Sequence, residues 1–248
     1  MRELAEKVLE SKTVEKVYDD ALSAPLKETG KLGRDLVKTA RLFLAPFQVT
    51  AALQDRFEKF LDRVRNKVPE ERQINAAPEI AGPVIEKLKY YTEENLITEL
   101  FSNLLARAID RDRVDEAHPA FAHLIAQLAP DEAVLLYEMR DKDFEIVDTM
   151  DYNRGTNQFF NRRIEKMAVP LHKLVFPANL ELYYSHLQSM NLALWPVYKQ
   201  DPIHANGVQS GIRRYSKLTL TDFGKLFVKA CIPDDAFVAE FFASESSK

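Results

Sequence analysis

The residues best suited to chemistry are five histidines and one cysteine, and their spacing assembles no obvious reactive site. The histidines are His118, His123, His172, His186 and His204. His118 and His123 are five residues apart, so they do not share a helix face as an i, i+4 metal pair would. Asp115 and Glu116 lie close by, which keeps a metal site open. The His118-Pro119 step instead favours a turn in which the imidazole holds a nearby backbone group.

Cys231 is the only cysteine of the 248-residue chain, which excludes an internal disulfide and a thiolate metal cage. It ends an apolar helical stretch with no histidine nearby in sequence, so a buried structural thiol is favoured over a nucleophile. The first sixteen residues contain no signal-peptide core, and the most apolar run, residues 42–53, is too short to span a bilayer. We therefore expect a cytoplasmic protein without a transmembrane helix.

Neighbouring carboxylates do not suggest acid–base catalysis. The pairs Asp19-Asp20, Glu93-Glu94 and Asp234-Asp235 occur in polar segments. Nothing beside them would raise the pKa of one carboxyl group, as such a mechanism requires. The sequence also contains no GxSxG, HExxH or P-loop pattern. We predict a protein that is not an enzyme, with no catalytic, cofactor-binding or metal-binding residues.

Two basic groups could contact nucleic-acid phosphates. They are Arg162, Arg163 and Lys166 in the first group, and Arg213, Arg214 and Lys217 in the second. The second group lies on the wing of the winged helix that we expect for this region. However, the helix that would read the bases, residues 180–190, lacks Arg and Lys, and the net charge is −4. Arg213, Arg214 and Lys217 are therefore interaction candidates facing a protein, with a nucleic-acid-binding regulator as the alternative.

The segment 30–53 offers a second interaction surface. It has a broad apolar face, with Phe43 and Leu44 at its centre, and several basic residues. Such a segment can lie in a membrane interface, although a helix buried in its own bundle or in a dimer is commoner. We predict Phe43 and Leu44 as interaction residues. Their partner is a protein, another copy of the chain, or a membrane surface after activation.

The elements that position these residues are mostly helical, because apolar residues recur at helical spacing and only seven glycines are present. Helices are expected over residues 50–68, 80–93, 95–110, 120–128, from Pro130 onward, 180–190 and 222–231. Asn95 and Thr221 are well placed as N-caps. Residues 144–147 indicate one short strand, and the segments LALWPVYKQD and IRRYSKLTL indicate a hairpin.

The expected fold class is mainly α. A helical arm or bundle over residues 1–78 precedes a central helical region over 79–140. Residues 141–248 then form a winged-helix-like α+β unit with a short β-hairpin, which combines the two expected strands with helices on either side.

Three pieces of the sequence together resemble a known family. They are ELFSNLLARAID with the following AHPAF, then LAPDEA, then YSKLTLTDFGKLFVKACI. Their order and spacing over about residues 95–233 resemble the Abi-alpha family, a bacterial domain of unknown mechanism associated with abortive infection against phage. One departure is Ala129, where the family usually has Ser. The loss of that cap should reduce helix stability by about 0.5–2 kcal/mol without affecting chemistry.

The resemblance implies a role in phage defence. In that interpretation the C-terminal unit senses a phage product or a host partner, and the helical arm then arrests the infected cell. The trigger and the effector mechanism do not follow from the sequence.

Overall fold

The computed structural model describes residues 51–91, 95–234 and 237. Seven α-helices occur in these ranges: α1 Ala51–Asn66, α2 Pro78–Leu88, α3 Leu96–Ala108, α4 Ala120–Ile125, α5 Pro130–Glu138, α6 Leu180–Ser189 and α7 Asp222–Cys231. Five strands accompany them: β1 Phe144–Asn153, β2 Gln158–Met167, β3 Ala193–Leu194, β4 Val197–Ala205 and β5 Val208–Leu220. The predicted interaction residues Phe43 and Leu44 lie outside the described residues.

Helix α3 is the centre of the core. Its side chains are buried around nearly the whole circumference, including Leu100, Phe101 and Leu104. Helices α1, α2, α4, α5 and α7 all contact it. A helix that is buried on nearly every side must be enclosed by neighbouring elements in this way. As predicted, Asn95 is its N-cap, and the Asn95 side chain accepts a hydrogen bond from the Ile97 amide at 2.8 Å.

Helix α7 closes the core against α3. Phe227 is fully buried, and its ring contacts that of Phe121 edge-on, with centroids 5.1 Å apart. The Asn103 side chain donates a hydrogen bond to the Cys231 carbonyl at 3.0 Å, which fixes the end of α7. The predicted cap at the other end is confirmed, because the Thr221 hydroxyl accepts a hydrogen bond from the Gly224 amide at 2.7 Å.

The strands form one antiparallel sheet. Its order is β2-β1-β5-β3, and β4 also pairs with β5. Hairpins join β1 to β2 and β4 to β5. The second hairpin turns at Asn206 and Gly207, whose φ angles are 53° and 77°. Two positive φ angles in succession are typical of the tight hairpin turns whose twist matches that of the strands.

Only one end of the sheet packs on the helices. Phe144, Ile146 and Leu218 are buried there, whereas β2 is exposed along almost its whole length. The sheet therefore projects from the helical core, and its far part has solvent on both faces.

The expectation of a mainly α protein with a two-stranded wing is wrong. The short strand near residue 144 is ten residues long, and the strand at 158–167 was not expected. That strand is exposed on both faces, so it lacks the alternation of apolar and polar residues that reveals a half-buried strand. The result is a five-stranded antiparallel sheet rather than a winged-helix hairpin. The division of the chain at residues 78 and 140 stays a prediction.

Candidate functional site

An open cleft of about 320 Å³ lies between α6 and one face of the sheet. Its charged walls are formed by Asp148, Arg162, Glu181 and Arg214, and its aromatic walls by Tyr184 and Trp195. This volume falls at the lower end of the roughly 300–1,000 Å³ that small-molecule sites occupy. The sheet supplies both arginines and the helix supplies Glu181 and Tyr184, so the packing of α6 on the sheet creates the site.

A buried carboxylate organises the cleft. Asp148 on β1 is only 1% exposed, and it lies between two guanidinium groups. Arg214 Nε donates to its Oδ1 at 2.8 Å, and Arg162 Nε lies 3.3 Å from its Oδ2. Asp148 and Arg214 are directly opposed in the β1–β5 pairing, which places both side chains on the same face. Because a buried charge must be paired, this carboxylate holds both arginines in fixed positions.

Arg162 links the sheet to the helix. Its Nη1 donates a hydrogen bond to Glu181 Oε1 at 2.6 Å, and its guanidinium carbon lies 5.3 Å from the Trp195 ring centroid. A guanidinium over an indole ring is a favourable cation–π arrangement. The Glu181 side chain is 70% exposed, so it covers Arg162 from the solvent side.

Trp195 is held rigidly beside these charges. Its indole nitrogen donates to the Ser216 hydroxyl at 2.8 Å, and that hydroxyl donates to the Ile146 carbonyl at 3.2 Å. The Tyr184 ring meets Trp195 edge-on at 5.0 Å. Burial raises the pKa of the Tyr184 phenol, which therefore stays neutral at physiological pH. The aromatic wall is thus preformed.

The arginines retain free donors. Within the part of the chain that the structure describes, the Arg214 side chain forms a hydrogen bond only through Nε, which leaves its terminal nitrogens without a partner, and Arg214 is one of the residues that line the cleft. A guanidinium has five N–H donors, so those nitrogens can bind an anion without breaking the bond to Asp148. The arrangement can therefore bind an anionic group next to an aromatic surface.

The other face of the sheet presents surface ion pairs. Arg213 Nε donates to Glu165 Oε2 at 2.8 Å, and Lys217 Nζ to Asp143 Oδ2 at 2.9 Å. Hydrogen bonding to Glu165 raises the pKa of Arg213, and hydrogen bonding to Asp143 raises that of Lys217. Each cation therefore has a carboxylate partner on the exposed surface.

The structure therefore separates the three basic residues that the sequence grouped together. Arg213 and Lys217 lie on the face with the ion pairs, whereas Arg214 lies in the cleft, because successive strand residues point to opposite faces. Arg163 of the first basic group is also paired, with Asp151, and this hydrogen bond lowers the pKa of Asp151 to about 2.

The Pro-Asp-Glu segment at the start of α5 positions α6. Asp131 accepts hydrogen bonds from the amides of Val175 and Phe176, at 2.9 and 2.8 Å, and from the Tyr183 hydroxyl at 2.8 Å. Sequence reasoning missed this role of Asp131, because the partners are 44 to 52 residues away. Asp131 therefore fixes the position of α6, which forms one wall of the cleft.

The neighbouring Glu132 continues this framework. Its Oε1 lies 2.7 Å from His186 Nδ1 on α6, and its Oε2 accepts a hydrogen bond from the Ala129 amide at 2.8 Å. This second contact is half of a capping box. The other half is missing because the Ala129 side chain has no acceptor.

The predicted His-Pro turn is confirmed. His118 Nδ1 accepts a hydrogen bond from the Ala120 amide at 3.1 Å, and the ring contacts Phe121 and Phe223, with centroids 5.4 Å from each. Among the residues that the structure describes, no three His, Cys, Asp or Glu side chains gather as a metal site would require. Cys231 is fully buried as expected, and burial raises the pKa of its thiol.

The fold and cleft define an α+β protein in which a helical core carries an antiparallel sheet with an arginine-lined site. The family model for abortive infection alpha matches residues 51–231. The chain therefore belongs to the Abi-alpha family, and the match includes every helix and strand of the cleft. No curated protein and no solved structure matches the chain. No helix within the described ranges is long and apolar enough to cross a membrane.

Proposed function

We propose that this protein defends its host against phage by abortive infection, and that it acts by binding another protein rather than by catalysis. Its family is named for abortive infection, which supports the biological role. The distinctive residues of the family segments support the proposed mode of action, which is binding rather than catalysis. Asn103, His118, Asp131, Thr221 and Gly224 all pack, cap or hold a neighbouring element.

One observation carries the proposal of a protein partner. The side chains of Val175 and Phe176 are 71% and 63% exposed, although Asp131 holds both of their backbone amides. Large apolar side chains on a fixed backbone can be buried in an interface with little loss of backbone entropy. Aromatic residues of this kind are frequent energetic centres of protein interfaces. Leu182 on α6, 64% exposed, adds a third apolar side chain in the same part of the chain.

In this proposal the described unit recognises the phage or host partner. The segment with Phe43 and Leu44, which lies outside the described residues, then arrests the cell through a host protein or the membrane surface. Self-association of the chain is a further route, because a membrane-active or protein-binding segment gains affinity when several copies act together. A cytoplasmic location is part of the same proposal.

The experiment compares plaque counts on hosts with and without the gene, together with survival of the infected culture. Abortive infection predicts fewer plaques and no rescue of the cells that are infected. A Val175→Ser, Phe176→Ser double variant should lose protection because it removes the exposed apolar pair. Tyr90→Ser is the matched control, since Tyr90 is 68% exposed on a different segment.

Wild-type protection in the double variant, with an unchanged melting temperature, would reject this docking surface. Equal loss of protection in the Tyr90→Ser variant would reject it as well. Plaque numbers that do not depend on the gene would reject phage defence itself.

The second candidate is a nucleic-acid-binding regulator, which the exposed basic residues of the sheet favour. Against it, Arg213 and Lys217 are already paired with carboxylates, and α6 carries no Arg or Lys. A gel-shift at two salt concentrations separates the candidates. Binding through phosphates must weaken steeply as salt rises, whereas an apolar protein contact changes little.

A further inference from the structure

We propose that the cleft between α6 and the sheet binds a small phosphorylated molecule, with its phosphate between Arg162 and Arg214 and a planar ring against Trp195. This site is distinct from the apolar surface around Val175 and Phe176. The proposal concerns ligand binding alone, so it does not depend on the role in phage defence.

The anion-binding part rests on two oriented guanidinium groups. The buried Asp148 carboxylate lies 2.8 Å from Arg214 Nε and 3.3 Å from Arg162 Nε. Both arginine side chains are therefore already ordered before a ligand binds. Arg214 lines the cleft, and within the described residues its terminal nitrogens form no hydrogen bond. A phosphate has several acceptor oxygens, so it can accept from both guanidiniums at once, and arginine forms bidentate bonds with such groups.

Glu181 occupies part of this site in the present structure. Its carboxylate accepts from Arg162 Nη1 at 2.6 Å, although its side chain is 70% exposed. Exposed ion pairs are weak, so a doubly charged phosphate can displace this carboxylate. With Glu181 displaced, two guanidiniums face the single buried carboxylate of Asp148, and the cleft carries a net positive charge. Glu181 therefore acts as a built-in competitor of the ligand.

The rest of the ligand is defined by size and by the aromatic wall. A volume of about 320 Å³ admits a small molecule rather than a folded partner. Trp195 is fixed by Ser216, and Tyr184 supports it edge-on, so an apolar surface adjoins the anion site. A planar ring attached to the phosphate would gain contact with this surface. A nucleoside monophosphate has the required combination of phosphate and ring.

The fluorescence of Trp195 can report binding, because it is the only tryptophan of the chain. We would titrate the full-length protein with adenosine monophosphate, inorganic phosphate and adenosine while following tryptophan fluorescence. Saturable binding should be tightest for adenosine monophosphate, weaker for phosphate and weakest for adenosine. Equal affinity for phosphate and the nucleotide would overturn the contact with the aromatic wall. No saturable change with any phosphate probe would overturn the site.

Variants on the two faces of the same strand test the arginines. Arg214→Gln should weaken nucleotide binding by about tenfold or more, the effect of losing roughly one charged hydrogen bond. Arg213→Gln is the matched control, because Arg213 faces away from the cleft and pairs with Glu165. Equal weakening in both variants would show that general surface charge, not the cleft, binds the probe.

Because Arg214→Gln leaves Asp148 with one partner, a second test avoids the buried pair. Glu181→Gln removes the competing carboxylate from an exposed position, so the nucleotide should bind roughly fivefold tighter. Glu165→Gln removes the same charge from the opposite face and should change the affinity much less. Unchanged or weaker binding in Glu181→Gln would overturn the role of Glu181 and of Arg162 as the anion site. A protein that protects against phage but binds no phosphate would refute only this inference.

Discussion

A Cβ atom at position 224 would lie 1.9 Å from the carbonyl oxygen of Leu192. The backbone between α6 and β3 therefore passes directly over the first turn of α7. Thr221 joins the same contact, because its hydroxyl donates to the Asn191 carbonyl at 2.5 Å and accepts from the Gly224 amide. The Thr-x-Phe-Gly segment, residues 221–224, thus fixes the start of α7 against the backbone that leads into β3.

Gly224→Ala should destabilise the protein by about 1–3 kcal/mol or more, because the clashing atom belongs to the backbone and cannot rotate away. Urea denaturation followed by circular dichroism measures this change. Gly155→Ala is the control, since its added Cβ would meet only the Asn153 side chain at an ordinary 3.4 Å. Equal stability of the two variants would contradict the close approach.

Asp131→Asn should loosen the segment before α6. The carboxylate accepts three hydrogen bonds, and losing the charged acceptor should lower stability by about 1.5–3 kcal/mol. Hydrogen exchange at the amides of Val175 and Phe176 should accelerate most. Asp222→Asn is the control, because Asp222 is fully exposed and bonds only Lys225. Unchanged exchange in the Asp131 variant would contradict the role of Asp131 in holding the backbone of Val175 and Phe176.

Leu104 and Phe227 are both fully buried in the core. Truncating either to Ala should reduce the free energy of unfolding by about 2–5 kcal/mol. Leu182→Ala should change it by no more than about 0.5 kcal/mol, because that side chain is 64% exposed. His118→Gln should cost much less than the core truncations. Stoichiometric zinc in the purified protein, lost with that substitution, would contradict our account of His118.

Cys231 should react slowly with thiol reagents in the native protein. Its side chain is fully buried and burial raises its pKa, so the reactive thiolate is scarce until the protein unfolds. As the only cysteine, it reports one site. Labelling should accelerate at the denaturant concentration that unfolds α7. Fast labelling of the native protein at neutral pH would contradict this burial.

The Cys231 thiol should also make the stability of the protein depend on pH. The unfolded chain releases the proton near the ordinary pKa of 9.0, whereas the folded protein retains it to a higher pH. The unfolded state then binds fewer protons, so stability should fall as the pH rises above about 9. Cys231→Ala lacks this contribution, and its stability should fall less steeply over that range. Parallel pH profiles of the two proteins would contradict the raised pKa.

Phe43→Asp tests the proposed effector segment. The substitution places a charge among the apolar residues that the sequence predicts as one face of residues 30–53. Protection against phage should be lost while the full-length protein keeps the circular dichroism spectrum and melting temperature of the wild type. Thr39→Asp, which adds the same charge at a polar position of the same segment, is the control for added charge. Full protection by a folded Phe43→Asp variant would eliminate the segment as effector. Liposome leakage by the wild type, absent in the variant, would identify a membrane target.

Local sequence indicated the helices and several of their starts, although α2 and α4 end at Leu88 and Ile125 rather than at the expected residues 93 and 128. The apolar spacing of α3, the caps at Asn95 and Thr221 and the His118 turn all follow from neighbours within a few residues. The family resemblance had the same source, since its segments consist of residues that cap and pack. Such features are readable because helix periodicity and capping are local properties of the chain.

The sheet and the cleft could be recognised only from the tertiary structure. Strand β2 has solvent on both faces, so its sequence lacks the alternation of apolar and polar residues by which a strand is recognised. It is a strand because its backbone pairs with that of β1. The pairing of Asp148 with Arg214 spans 66 residues, and that of Arg162 with Glu181 crosses from sheet to helix. Arg213 and Arg214 are neighbours in sequence, yet the strand directs one to the ion-paired face and the other into the cleft. Strand register and long-range pairing fix these positions, and neither is encoded in the spacing of nearby residues.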